Sequence, residues 1–463
     1  MHLFTIIQLL QSLWIAFIVI MLFYRFRIGV ASYLAYIFLV PYMKIDIGGI
    51  LLQWNFINIL TLIAFFIHRQ KNYPHQKLDG RPLLPIAIYF GVSLLLMPFQ
   101  QDVPFNYAFD LWRVQVMRYM ILPFVIWNDI LVDKVSLRLY RKITINCIVI
   151  AALYGLFLTT IPGVNPYMMV ISAVNGEEFN LAYAAGYSGK MDYEAFEEGD
   201  NIIFSNDIIL NDERLFGRIS SVFAHPMVFG LFLGFALLFL YRNKENISKW
   251  LLYFVSLVML TDVIVCGVRT VLAAISVVIL FLLIKSRKFK YVFYFAIIGT
   301  IIWGIIANSP WLSNYLGSII DESSSNVSGS SLELRIAQLN GCFHEIQNSL
   351  LTGKGFGWTG YFLSQQEEHP TMLHFESLIL VILCNSGIIG LFLWIYMSAK
   401  IIKFNNLYER PTAILLLSLL LFYLTYACIT GDYGYMQYFI LFYVLMCGEG
   451  MAGMASKRTK RMS

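Results

Sequence analysis

Five arginines, Arg113, Arg118, Arg218, Arg269 and Arg335, stand apart from the other basic residues, each at or near an expected helix end or on an amphipathic stretch. A guanidinium stays charged at any working pH and presents a planar fork of donors that matches phosphate oxygens. Several converging on one cavity would bind a pyrophosphate, whereas a single arginine near lipid can simply snorkel to the surface. Acid–base candidates lie nearby in the sequence: His374 and Glu376 head an apolar run, and His225 precedes Pro226. A carboxylate or imidazole in a membrane-embedded cleft can be tuned by burial and neighbouring arginine, as general-base chemistry requires. The ordinary reading of His225 is a helix-entry residue before proline.

Gly353-Lys354-Gly355-Phe356-Gly357 is a glycine-rich turn whose backbone N–H groups, if free, would approach an anion or sugar, with Gly353 and Gly355 as the candidates. It has neither the spacing of a phosphate-binding loop nor a preceding strand. The chain contains no HExxH motif, DxD pair or nucleotide fingerprint, which argues against a metal-dependent enzyme using sugar nucleotides, and no metal site is expected. Its six cysteines, Cys147, Cys266, Cys342, Cys384, Cys428 and Cys447, show no CxxC or Cys/His pairing, so no disulfide framework is expected. Asp262, deep in an apolar run, is expected to pair with a neighbouring polar group.

The elements that must position these groups are membrane helices. Of 463 residues, 59% are hydrophobic and 13% charged, with a mean hydropathy of +0.68, far too apolar for a soluble domain. Runs of about 20 apolar residues, the length that crosses a bilayer, recur along the chain and predict about thirteen spans. Those used below are 28 to 43, 47 to 67, 116 to 132, 222 to 241, 374 to 397 and 436 to 449. The first run, from Thr5 to Tyr24, lacks a basic flank and a small-residue cleavage site and is read as a mature helix. The fold class is thus all-α, a polytopic transmembrane helical bundle forming a single integral membrane domain.

Basic clusters mark alternate loops: Arg25 with Arg27, Arg69 to Arg81, Lys134 to Lys142, Arg242 to Lys249, Lys285 to Lys290, Lys400 to Arg410, and the tail Lys457 to Arg461. Together they hold 24 of the 33 Lys and Arg residues, enough to place these loops and the C-terminus in the cytoplasm. The net charge of +5 therefore reports topology, and no nucleic-acid partner is expected.

Two long segments then face outward, an acidic loop at 162–221 and a loop at 308–373. The second carries a helical stretch at about 332–351, where Leu332, Ile336, Leu339, Phe343, Ile346 and Leu350 repeat at spacings of four and three. Such a stripe suits a helix on the membrane surface that roofs a cavity. Function is expected on this outer side.

Three stretches in fixed order resemble the O-antigen polymerase and O-antigen ligase superfamily, covering at least residues 215 to 395. They are Arg218-Ile-Ser-Ser-Val-Phe-Ala-His-Pro-Met-Val-Phe-Gly230, the turn Val268-Arg269-Thr270, and the run from Arg335 through Gly353-Lys-Gly355-Phe-Gly357 to His374-Phe-Glu376-Ser377 and Gly387-Ile-Ile-Gly390. The ligase pattern places a histidine where Glu376 stands here, with His374 two residues early, which favours a polymerase.

The resemblance implies a fold similar to membrane-embedded GT-C-type glycosyltransferases, with a metal-independent inverting transfer from undecaprenyl pyrophosphate-linked oligosaccharide and no cofactor. The setting would be the bacterial plasma membrane, amid lipid, with a chain-length regulator and a flippase as further partners. The product would be O-antigen, capsule or exopolysaccharide. Arg218, Arg269 and Arg335 would neutralise the pyrophosphate, and Glu376 or His374 would deprotonate the acceptor. Secondary candidates are His225, Arg118, Arg113, Gly353 and Gly355. A ligase using a lipid A core acceptor is the near alternative. From another class, a transporter of the same lipid-linked unit would more often show internal repeats, broken helices near the midplane and similar-sized loops on both faces; no repeat is found in the sequence, and the expected bulk is lopsidedly external. A non-catalytic assembly subunit would leave the arginine set without a reason.

Overall fold

In lipid a backbone N–H has no solvent partner, so long apolar runs resolve into helices that satisfy their own hydrogen bonds. The computed structural model describes residues 2–40, 44–47, 50–100, 102–161, 165–167, 219–223, 225–287, 290, 332–365, 377–431 and 434–462. Most of the acidic loop expected at 162–221 (residues 168–218) and much of the loop expected at 308–373 lie outside the described residues. Among those described are fifteen α-helices. The N-terminal group is α1 (His2–Tyr24), α2 (Phe26–Leu39), α3 (Trp54–Asn72), α4 (Leu84–Leu96), α5 (Phe105–Val116), α6 (Leu122–Val132) and α7 (Lys134–Leu158). There follow α8 (Pro226–Arg242), α9 (Lys249–Val265), α10 (Arg269–Lys285), α11 (Leu332–Ile346), α12 (Trp358–Gln365), α13 (Leu378–Asn405), α14 (Arg410–Thr430) and α15 (Tyr435–Met462). Three of them, α7, α13 and α14, are long and apolar enough to cross a membrane, and four shorter apolar helices accompany them. The chain is an integral membrane protein.

The all-α expectation needs one correction. An antiparallel hairpin, β1 (Lys44–Ile47) and β2 (Ile50–Gln53), pairs Lys44 with Gln53 and Ile47 with Ile50. The span expected to begin at 47 therefore becomes helical only at Trp54. Isoleucine-rich tetrapeptides beside Gly48-Gly49 are as competent for a hairpin as for a helix.

The basic clusters share one end of the bundle. Arg27 pairs with Asp133 at 2.6 Å and donates to the Tyr73 hydroxyl at 2.9 Å. Arg141 on α7 meets Glu449 of α15 at 3.2 Å, and Arg242 donates to the Glu449 carbonyl at 3.0 Å. The neighbouring Gly450 is crowded by Tyr408 and Thr412, and Arg410 reaches the Lys285 carbonyl at 3.5 Å. This continuous chain of contacts joins six loops that the charge pattern had assigned to the same side.

At the centre, most of α8, more than half of α14 and residues 435–450 of α15 are buried. Phe38, Phe232, Phe235, Phe239 and Phe442 pack there edge-to-face or tilted, with centroids 5.4 to 5.9 Å apart. Gly234 allows the close approach of α8 to α14, since an added Cβ would meet the Phe422 ring at 2.0 Å. Asp262 of α9 departs from expectation: it is fully buried, and neither carboxylate oxygen has a hydrogen-bond partner among the described residues.

Two helices are interrupted where the sequence reads as continuous. A π-helical turn, Met117–Ile121, joins α5 to α6. In α13, Gly387 adopts φ 61° and ψ −157° and breaks the helix, within the span expected to run unbroken from 374 to 397.

Candidate functional site

The end of the bundle opposite the basic loops is organised around the turn from α14 to α15. Gly431 and Gly434 take φ of 84° and 81° there, conformations that favour glycine. One helical turn before it, the Tyr426 hydroxyl donates to the Met227 carbonyl at 2.7 Å, tying α14 to the start of α8, and its ring meets Tyr435 edge-on at 5.4 Å.

Four of the expected residues come to this end. Arg335, on the buried side of α11, donates Nη1 to the Ile429 carbonyl at 2.6 Å, a group that the helix terminus leaves without an intrahelical donor. Arg118, carried by the π turn, donates Nε to Oε1 of Gln437, and its guanidinium lies over Gly434. Half-buried, it has no carboxylate within ion-pair distance among the described residues. π turns recur at functional sites because the extra residue re-aims a side chain out of helical register. Arg269 opens α10, two residues before Val271, which packs against Gly230 beside the Tyr426 hydroxyl. His225 caps α8, its Nδ1 accepting from the Met227 N–H at 3.1 Å, so the ordinary helix-entry role is the one its ring performs.

Others behave differently. Arg113 is exposed and pairs with Asp110 at 3.0 Å, one turn away on α5, so it is a surface ion pair outside the cluster. Arg218, His374 and Glu376 lie outside the described residues. The chain immediately after Arg218 is anchored: the Asn165 amide donates to Ser220 Oγ at 2.9 Å and to the Ser221 carbonyl at 2.7 Å, and Ser221 Oγ donates to the Ala151 carbonyl at 2.6 Å.

The glycine-rich turn corrects the expectation of free N–H groups. Gly353 N–H donates to the Ser349 carbonyl at 2.7 Å, Lys354 N–H to the Cys384 carbonyl at 2.8 Å and Gly355 N–H to the Asn385 carbonyl at 3.2 Å. Phe356 N–H donates to Gln100 Oε1 at 3.2 Å. In return, Ile388 and Ile389 donate to the Leu350 and Leu351 carbonyls at 3.0 and 3.1 Å. The turn thus satisfies the backbone groups that the Gly387 break releases, as a broken helix in lipid requires. Gly353 and Gly355 are packing residues, since a Cβ at Gly353 would meet the Gly387 nitrogen at 2.5 Å and one at Gly355 the Val103 side chain at 2.6 Å.

The helix expected at about 332–351 is α11, and it ends at Ile346. Ile336, Leu339, Phe343 and Leu350 are exposed, while Gln338, Cys342 and Ile346 are buried, with α11 packed on α13. Ile336, Leu339 and Phe343 therefore face away from the bundle, while Ile346 of the same stripe packs inward and Arg335 borders that inward side.

Gln437 and the Gly431/Gly434 turn escaped the reading of the sequence. Their only signal was a Gly-Asp-Tyr-Gly run between two apolar stretches. No group of three His, Cys, Asp or Glu side chains suited to a metal ion comes together among the described residues.

No curated protein matches the chain. Residues 254–395 match the Wzy_C family model, described as O-Antigen ligase, a stretch that runs from within α9 into α13 and contains Arg269, Arg335, the glycine turn and the Gly387 break. Arg118, Arg218 and His225 fall outside it. Over this region the match supports the resemblance to the O-antigen polymerase and ligase superfamily read from the order of the motifs.

Proposed function

We propose that the protein polymerises undecaprenyl pyrophosphate-linked oligosaccharide units into surface polysaccharide on the outer face of the plasma membrane. One observation carries the reading: in a chain matched to the O-antigen ligase model, Arg118, Arg269 and Arg335 are gathered at the bundle end opposite the basic loops. Positive charge preorganised toward a leaving group is commonly the largest catalytic term, and arginines can supply it without a metal. The acceptor hydroxyl oxygen attacks the anomeric carbon of the donor, and the bond from that carbon to the pyrophosphate oxygen breaks with inversion. The hydroxyl proton passes to Glu376, with His374 as the other candidate base, and undecaprenyl pyrophosphate departs with the bond electrons. Arg218, next to the anchored Ser220 and Ser221, joins the arginine set in this proposal.

The match to the O-antigen ligase family model favours a second reading, transfer of the glycan to a lipid A core acceptor. Reconstitution separates them: purified protein in liposomes, a native-type undecaprenyl pyrophosphate oligosaccharide, EDTA, and products sized on a gel. A ladder supports the polymerase, and a single product that requires added lipid A core supports the ligase. Movement of the donor across the bilayer without any product would replace both readings with transport.

A further inference from the structure

Cys342 of α11 and Cys384 of α13 are both fully buried, and their Sγ atoms lie 3.4 Å apart. Cys342 sits on the inward face of α11, in line with Gln338 and Ile346. The Cys342 thiol also points at the Leu380 carbonyl, 3.9 Å away and one turn before Cys384. No other two cysteine sulfurs are in hydrogen-bond contact among the described residues, and Cys147, Cys266, Cys428 and Cys447 each stand singly. The catalytic proposal uses neither sulfur of the close pair.

A disulfide needs the sulfurs about 2.05 Å apart and the Cβ atoms about 3.8 Å apart. At 3.4 Å the sulfurs stand about 1.4 Å beyond that bonding distance. Such bonds persist in oxidising compartments outside the cytoplasm. Arg335, two turns before Cys342, reaches the α14 terminus at the end proposed above to face outward, and Cys384 lies six residues into α13 from its start at Leu378.

We propose that Cys342 and Cys384 form a disulfide that staples α11 to the first segment of α13. Both S–H bonds break and the S–S bond forms. The two electrons and two protons pass to the disulfide of an extracytoplasmic thiol oxidant, which leaves as a dithiol. The closed loop encloses the glycine turn docked at the Gly387 break, and the staple holds the helix that carries Arg335 against the bundle. The inference rests on the outward placement of this end and not on which glycan product is made.

The test is mass spectrometry of the full-length protein, extracted from membranes with N-ethylmaleimide present, denatured without reductant and digested. The expected result is a reductant-sensitive linked peptide joining Cys342 to Cys384, with the other four cysteines alkylated, and its loss in C342S and C384S. Alkylation of both residues in the unreduced protein, or linkage of either to a different cysteine, would overturn the proposal. Because this readout needs no activity, a reduced pair in a protein that still makes polymer refutes the staple alone. A linked pair in a protein that makes no glycan product refutes the function alone.

Discussion

Gly387→Ala tests whether the glycine turn and the broken helix form one unit. At φ 61° and ψ −157° the residue occupies a region that is essentially glycine-only, and a side chain there costs about 1–3 kcal/mol. An added Cβ would also lie 2.5 Å from the Leu351 oxygen, 2.6 Å from the Gly353 nitrogen and 2.6 Å from the Leu350 oxygen. All three are backbone atoms, so none can rotate away. Relief requires the turn to move off α13, which breaks the hydrogen bonds from Lys354, Gly355, Ile388 and Ile389. At about 0.5–1.5 kcal/mol each, these four bring the expected destabilisation to about 3–9 kcal/mol. The assay is thermal unfolding in detergent together with limited proteolysis around residues 347–357. Gly91→Ala serves as control, because nothing lies within 4 Å of its added Cβ, and alanine there should be neutral or stabilise by about 0.5–1 kcal/mol. The expected result is a Tm lowered by several degrees with new cleavage in the turn. A Gly387→Ala protein that melts with the wild type and resists protease would refute the docking argument.

Arg118→Ala and Arg335→Ala should each lower polymer yield about 10- to 100-fold, the range expected for losing a charged hydrogen bond of about 1.5–3 kcal/mol. Arg113→Ala, at the exposed pair with Asp110, should leave yield unchanged; equal losses from all three would remove the reason for placing the site at the α14–α15 turn. Asp262→Val replaces a buried carboxylate that has no partner among the described residues and should raise the Tm, since burying an unsatisfied polar group costs about 1–3 kcal/mol; a lower Tm with unchanged packing would contradict this. Arg141→Ala strips the side-chain partner from Glu449, which is 7% exposed, and should destabilise by about 3–5 kcal/mol as breaking a buried pair does; a melting curve matching wild type would show that the basic end is held by other contacts.

The basic end is legible in the order of residues alone, because hydropathy and charge are properties of consecutive positions. Seven clusters of Lys and Arg mark loops on one side, and the contacts of Arg27, Arg141, Arg242 and Arg410 link six of them. The arginine set is only partly legible. Its members emerge by subtracting the topological charges, yet Arg113 and Arg118 are five residues apart on one helical stretch and look equivalent. A π turn separates their roles, since one extra residue in the turn changes which way the following side chains point.

Sequence alone thus determined the helical, membrane-embedded class, the common side of the basic loops and the family resemblance, all carried by local composition and motif order. Tertiary structure decided which groups meet. Arg118 finds Gln437 and Arg335 finds Ile429 across hundreds or tens of intervening residues, and the glycines of the turn answer to a break in α13 instead of to a ligand. The stripe on α11 shows the same division: its period set an amphipathic helix, but an apolar face is equally stable against lipid or protein. Only the packing of α11 on α13 left Ile336, Leu339 and Phe343 outside, put Ile346 inside and turned Arg335 toward the end of α14.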